Sequence, residues 1–245
     1  PFASLQTRIG RQRLGPEILA AVPAALMAYD LLEQDGRDIR ESPLSGRRAR
    51  LQALLAPAGE PALLVSEEVA APSWPELARL REQARERRVE GFMLKRLASP
   101  YRSGRRKGDW WKWKIAPFTV DAVLMYAHPG HGRRATLLTD YTFGVWKDGE
   151  LVPFAKAYSG LSDEEIRVLD AWIRRHTHDR FGPVRVVEPS QVFELAFEGI
   201  ARSARHKSGV AVRFPRILRR RPDKPAAEAD TLETINALLA ARGGG

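Results

Sequence analysis

Cysteine is absent from all 245 residues. That excludes a disulfide framework and a cysteine-ligated zinc site, and it fits a reducing cytoplasm. Long apolar runs are missing as well. Nothing approaches the roughly 20 consecutive apolar residues of a membrane-spanning helix, so no membrane partner is expected. The opening Pro1-Phe2-Ala3-Ser4-Leu5-Gln6 is neither a start methionine nor a secretory signal, which leads us to expect a segment cut from a longer protein. Histidine is sparse, at five residues. His128 and His131 flank a Pro-Gly turn, while His176 and His178 stand two apart near a predicted helix end and diverge there. No histidine metal centre is expected. No internal repeat is visible.

What is present is positive charge. Forty Lys and Arg against thirty Asp and Glu leave a net charge of +10, which favours a polyanionic partner. Only eight of the forty are lysine. Arginine is the better phosphate clamp because its planar fork donates two parallel hydrogen bonds. A GC-rich genome would also raise arginine and alanine, so charge alone is a weak pointer; charge interleaved with aromatics is a stronger one. At 44% hydrophobic the chain can bury a core, and its length suits two modest domains.

Residues 1–115 read as mixed α/β. Ala24–Leu32 is an apolar run of strand length, and Pro43 opens a helix to Leu55 with Leu44, Arg48, Leu51 and Leu55 on one stripe. Ala62–Val65 is a further short strand. Ser73-Trp74-Pro75-Glu76 is a capping box for a helix turning Leu77, Leu80 and Ala84 inward. The charged stretch Arg85–Arg88 follows, and Val89–Lys95 is the next strand. Beyond Ile115-Ala116-Pro117 short strands dominate: Phe118–Tyr126, Arg134–Leu138, Phe143–Trp146, Leu151–Ala155, Val184–Val187, Val192–Phe197 and Val210–Phe214. Asp148-Gly149 supplies a hairpin turn. Ser162 and Glu165 form a second capping box before a helix with Ile166, Leu169, Trp172 and Ile173 inward. Such strands with one inserted helix suit a small nucleic-acid-binding barrel. Gly243–Gly245 should fray.

Four clusters carry chemistry. Met27-Ala28-Tyr29-Asp30 offers an aromatic at the end of an apolar run, which on its own reads as a core tyrosine and alternatively as a ring that stacks on a base. Glu90-Gly91-Phe92-Met93-Leu94-Lys95 sets a carboxylate at the mouth of an apolar strand. In Trp111-Lys112-Trp113-Lys114, strand alternation sends both lysines to one face and both tryptophans to the other. Arg213-Phe214-Pro215-Arg216-Ile217-Leu218-Arg219-Arg220-Arg221-Pro222-Asp223-Lys224 interrupts six cations with apolar residues, as a strand edge or turn held against a core would.

Taken in this order and at this spacing, the clusters resemble the ATP-dependent DNA ligases, members of the covalent nucleotidyltransferase family. The resemblance covers nearly the whole chain. It implies an α+β fold: a partial nucleotidyltransferase (adenylation) domain over 1–115, then an OB-fold β-barrel domain over 116–245. It implies ATP and Mg2+ (or Mn2+) as cofactors, and nicked double-stranded DNA as partner of a monomer in the bacterial cytoplasm and nucleoid. Tyr29, Glu90, Lys95, Lys112, Lys114 and Arg213 would bind the nucleotide, with Glu90 also on the metal. Lys112, Lys114, Arg216 and Lys224 would be catalytic, the last two on a motif that swings over ATP about a hinge near Ile115-Ala116-Pro117. Arg102, Arg105, Arg106 and Lys107 in one loop, with Arg205 and Lys207 in another, would contact DNA.

One family element is missing. None of the eight lysines begins a Lys-x-Asp-Gly motif, the family's nucleophile. Lys147-Asp148-Gly149 is one residue short and sits in a predicted hairpin. The expectation is therefore a C-terminal portion, inactive alone. The rivals are an RNA ligase or capping-type nucleotidyltransferase, and a non-catalytic OB module that only binds nucleic acid.

Overall fold

The computed structural model describes residues 2–87 and 89–241; the terminal Gly243–Gly245 lies outside them. Contacts divide the chain into two units. One runs to Glu82 and resumes at Gly91–Lys114; the other takes Gln83–Glu90 and everything from Ile115 onward.

The first unit comprises α1 (Phe2–Gln6), α2 (Pro16–Ala21), β1 (Leu26–Ala28), β2 (Glu33–Gln34), β3 (Arg37–Asp38), α3 (Leu44–Leu55), β4 (Leu63–Val65), α4 (Trp74–Glu82), β5 (Gly91–Lys95) and β6 (Trp110–Lys114). Strand β1 pairs in parallel with β4, Leu26 opposite Leu63. The apolar run expected as one strand thus yields three residues. Asp30 ends it, because its carboxylate turns to accept the Leu31 N–H and the Arg47 guanidinium. Between β2 and β3, Asp35 and Gly36 both take positive φ, the tight hairpin turn favoured by Asp-Gly.

Helix α3 has no side-chain cap. Its first free N–H groups are met instead by the loop after β5: Leu44 donates to Ser99 O at 2.9 Å and Ser45 to Leu97 O at 3.0 Å. The buried stripe is Leu44, Arg47 and Leu51, which corrects the expected Arg48 by one position. Asp30 supplies the reason, as the partner waiting for a buried guanidinium. At α4 half the capping box forms. Ser73 Oγ accepts from the Glu76 N–H at 3.4 Å, while the Glu76 carboxylate pairs with Arg79.

The second unit is a curled antiparallel sheet with helices against it. Its strands are β7 (Phe118–Pro129), β8 (Leu138–Lys147), β9 (Glu150–Ala157), β10 (Thr177–Phe181), β11 (Val184–Val187), β12 (Val192–Phe197), β13 (Gly199–Arg202), β14 (Val210–Arg213) and β15 (Arg216–Arg220), with α5 (Asp163–Arg175) and α6 (Leu232–Ala241). Twelve-residue β7 organises it: β12 and then β11 share one edge and β8 takes the other. A register shift between Leu124 and Tyr126 bends the strand. β13 and β14 form a separate hairpin. Residues 134–137, expected as strand, lie before β8, which starts at Leu138.

Both halves of the Ser162–Glu165 capping box form. The buried stripe of α5 is Ile166, Leu169 and Ile173, with Trp172 packed partly against the core. Buried Asp170 docks the helix by accepting the Leu138 N–H at 2.8 Å. Inside the sheet, Val120, Leu124, Phe143, Phe193, Leu195, Phe197 and Ile217 meet helix residues Leu169, Ile173 and Ile235. Alternation fails in part of β7 because Val123 is covered on its outer face with Val192 and Ala229.

Candidate active site

The β5–β6 ladder sets the geometry. Its register pairs Gly91 with Lys114, Met93 with Lys112 and Lys95 with Trp110. Pleating therefore puts Lys95, Trp110, Lys112 and Lys114 on one face, and Phe92, Leu94, Trp111 and Trp113 on the other. Trp113 meets Trp74 of α4 edge-on at 5.8 Å and carries the Arg81 guanidinium over its ring at 4.6 Å. Trp111 stays half exposed. Gly91 is required where it stands. Its φ is +133°, and a Cβ there would lie 2.3 Å from the Trp113 carbonyl oxygen, so only glycine lets the chain enter β5 opposite Lys114.

Tyr29 joins the lysine face. The Lys95 ammonium lies 4.5 Å from the centre of the Tyr29 ring and 4.1 Å from that of Trp110, a cation held by two π-faces. Burial lowers its pKa below the ordinary lysine value; Arg48 and Arg47 act in the same direction and Asp30 opposes them. Trp110 is fixed by its Nε1 donating to Ser99 Oγ at 3.2 Å and by the Tyr101 edge at 5.4 Å. The Tyr29 hydroxyl bonded to Tyr101 raises the Tyr101 pKa. Tyr29 remains 50% exposed.

Two arginines to which the sequence assigned no role hold Tyr29 from behind. Arg47 forks onto Asp30 through Nε at 2.8 Å and Nη2 at 2.9 Å, and donates to the Ser42 and Ser99 carbonyls. Arg48 donates to Tyr29 O at 3.3 Å and Ser66 O at 2.7 Å. The one legible signal was Asp30, a carboxylate closing an apolar run.

The expected DNA-binding loop is exposed at Arg102, Arg105, Arg106 and Lys107. Arg102 pairs with Glu41 at 2.9 Å, and Tyr101, Arg102, Arg106 and Arg40 line an open cleft of about 280 Å3. In the second unit Arg205 and Lys207 are exposed in the turn between β13 and β14.

The terminal basic run sits at the sheet edge, where β15 pairs with β12. Ile217 is buried, but Phe214 and Leu218 face outward, so a single apolar side chain anchors the run. Phe214 takes φ +53° in the turn from β14. The cations meet carboxylates: Arg213 with Glu90, Arg216 with Glu198 at 3.0 Å, Arg219 with Glu194 at 2.7 Å, and Arg221 and Lys224 both with Asp121 at 2.8 Å. Arg221 also holds the Asp223 carboxyl at about 2, well below its usual range. Lys147 ends β8, and Asp148 and Gly149 take positive φ in a hairpin turn.

Among the described residues no group of three His, Asp or Glu side chains lies together to hold a metal ion. Glu90, already engaged by Arg213, fits a hard divalent cation as one ligand beside phosphate oxygens and water, the usual company of Mg2+. No helix among the described residues is long and apolar enough to cross a membrane.

The family model described as the ATP dependent DNA ligase domain matches residues 1–114, and that of the ATP dependent DNA ligase C terminal region matches residues 134–224. A probable DNA ligase of Koribacter versatilis is 40% identical, over 95% of this chain and 44% of its own length. A probable DNA ligase of Opitutus terrae is 41% identical over 100% of this chain and 27% of its own. The chain thus spans less than half the length of these relatives. Among solved structures, a Lig E DNA ligase superposes with a TM-score of 0.56 at 21% identity, covering 80% of this chain and 63% of that one, which shows a shared α+β fold. With two models of one family along most of its length and relatives near 40% identity throughout, the chain belongs to the ATP-dependent DNA ligase family.

Proposed function

We propose that this chain contributes the nucleotide-positioning face and the DNA-contacting surfaces of an enzyme that seals 3′-hydroxyl/5′-phosphate nicks. The observation that carries the reading is the single face of β5–β6 bearing Lys95, Lys112 and Lys114, with Tyr29 stacked on Lys95. A half-exposed tyrosine ring takes a purine, and cations along one strand face take its phosphates.

In this reading a lysine nitrogen attacks the ATP α-phosphorus, the bond to the β-phosphate oxygen breaks, and pyrophosphate leaves. The AMP passes to the 5′-phosphate of the nick. The 3′-hydroxyl then attacks that phosphate, AMP leaves, and the phosphodiester is closed. The attacking lysine is outside these 245 residues, because no Lys-x-Asp-Gly occurs in them. Lys112 and Lys114 offset charge on the α-phosphate, and Arg216 and Lys224 orient the departing pyrophosphate. A divalent cation, when bound, neutralises the triphosphate, and Glu90 is the residue here that would hold it. The exposed Arg102–Lys107 and Arg205–Lys207 loops contact the DNA backbone.

Labelled ATP incubated with the full-length gene product should leave an acid-stable protein–AMP adduct; no adduct with any nucleotide would overturn the proposal. Sealing of nicked RNA in preference to nicked DNA would move it to the RNA-joining relatives. Lys114→Ala should slow adduct formation on the order of 100-fold, the loss typical of one electrostatic donor, with little change in melting temperature because the side chain is exposed. Lys224→Ala or Arg216→Ala should slow adduct formation while sparing sealing of a pre-adenylated nick, as a basic run that swings toward ATP on a hinge near Ile115-Ala116-Pro117 requires. Equal loss in both assays would assign the run to DNA binding or folding.

A further inference from the structure

Asp121 stands near the start of β7, its side chain 12% exposed. The backbone is held rigidly. It pairs with Glu194 of β12, its N–H donates to Asp230 Oδ2 at 2.8 Å, and its carbonyl accepts from the Asp230 N–H at 2.8 Å. One carboxylate oxygen, Oδ2, accepts from both Arg221 Nη1 and Lys224 Nζ at 2.8 Å. The other, Oδ1, is buried with no hydrogen-bond partner among the described residues.

The two cations are not held alike. Arg221 also forks onto Asp223, through Nε at 3.1 Å and Nη2 at 2.8 Å. For Lys224, Asp121 is the one carboxylate partner among the described residues. Loss of the Asp121 charge therefore leaves Arg221 tied to Asp223 and releases Lys224. An oxygen bridging an ammonium and a guanidinium occupies the place a phosphate oxygen would take between the same groups. Oδ1 makes no bond to either cation, so both are held through the single oxygen Oδ2.

We propose that Asp121 is the internal counter-ion of the terminal basic run: it holds the Lys224 ammonium at rest and yields it to an arriving polyphosphate. The inference rests on the reading above, in which Lys224 meets the pyrophosphate part of ATP. Asp121 touches no reacting atom and acts through Lys224, so it is a positioning residue. A chain carrying Lys224 without this counter-ion would bind polyphosphate more tightly and more indiscriminately.

The test uses the 245-residue chain and inorganic tripolyphosphate. Asp121→Asn should raise acylation of Lys224 by an amine-reactive ester about tenfold, toward the rate of exposed Lys207, and tighten tripolyphosphate binding about tenfold, as expected when one competing charge-assisted hydrogen bond is removed. Asp223→Asn changes net charge equally but should leave Lys224 acylation unaltered, because Asp223 holds Arg221. Equal effects of the two variants would reduce the result to general electrostatics and overturn the proposal. If Asp121→Asn fails to fold, the unaltered chain still decides: Lys224 must acylate about tenfold more slowly than Lys207, and Lys224→Met must weaken tripolyphosphate binding; equal rates or unchanged binding would overturn it. Neither measurement involves adenylation, so failure here leaves the adduct assay to judge the proposed function separately, and the reverse holds.

Discussion

Replacing Arg47 with methionine should destabilise the chain by about 3–5 kcal/mol, the cost of removing one partner from a buried ion pair. The Arg47 side chain is 0% exposed and that of Asp30 3% exposed. Methionine fills much of the volume but leaves the Asp30 carboxylate buried without its cation, and the Ser42 and Ser99 carbonyls without a donor. Because Asp30 follows Tyr29 directly, the loss should also loosen the face around Tyr29, and under the proposed function KM for ATP in the full-length gene product should rise. Urea unfolding followed by tryptophan fluorescence measures the first effect. Arg47→Met combined with Asp30→Leu should recover most of the stability, since both charges leave together. A single-variant cost below about 1 kcal/mol, the range of a surface pair, would refute the argument.

Gly160→Ala should cost roughly 3 kcal/mol or more, by steric conflict rather than charge. Gly160 takes φ +112°, and a Cβ there would lie 1.8 Å from the Ile217 carbonyl oxygen and 2.7 Å from its carbon. These are backbone atoms, so no side-chain rotation relieves the clash. The neighbouring Ser159 carbonyl accepts the Ile217 N–H at 2.9 Å, so the loop between β9 and α5 clips the edge strand that carries Arg216 and Arg219. Pushing it away exposes Ile217, the buried anchor of the basic run. Hydrogen exchange should show the loss first at the amides of Arg216–Arg220, with α5 amides protected longer. Unchanged exchange there, with wild-type stability, would show that the loop can give way.

How much was legible in the sequence depended on the range of the interaction. The α5 helix was readable from Ser162, Glu165 and the Ile166–Leu169–Ile173 spacing, because capping and amphipathic periodicity act within a few residues. The alternation in Trp111-Lys112-Trp113-Lys114 was readable for the same reason. The short span of β1 was not. An apolar run looks like strand throughout until a partner ends it, and here β4 offers three residues while Asp30 turns to Arg47. The extra strand β10 and the helix α6 escaped because their apolar pattern is weak or continues past charged residues, while β15 was legible only as a strand edge or turn within the basic run.

By itself the sequence determined the family, the two lysines of β6 sharing a face, the glycine at position 91 beside its glutamate, and the basic run at Arg213–Lys224. Each is a local matter of residue type and spacing. The tertiary structure alone decided that Arg47 rather than Arg48 is buried, that Lys95 lies between Tyr29 and Trp110, and that Lys224 rests on Asp121, 103 residues away in the chain. Local patterns carry no information about such pairs. Which cation meets which carboxylate is chosen by packing, since a buried charge is stable only where the folded backbone delivers its partner to within hydrogen-bond distance.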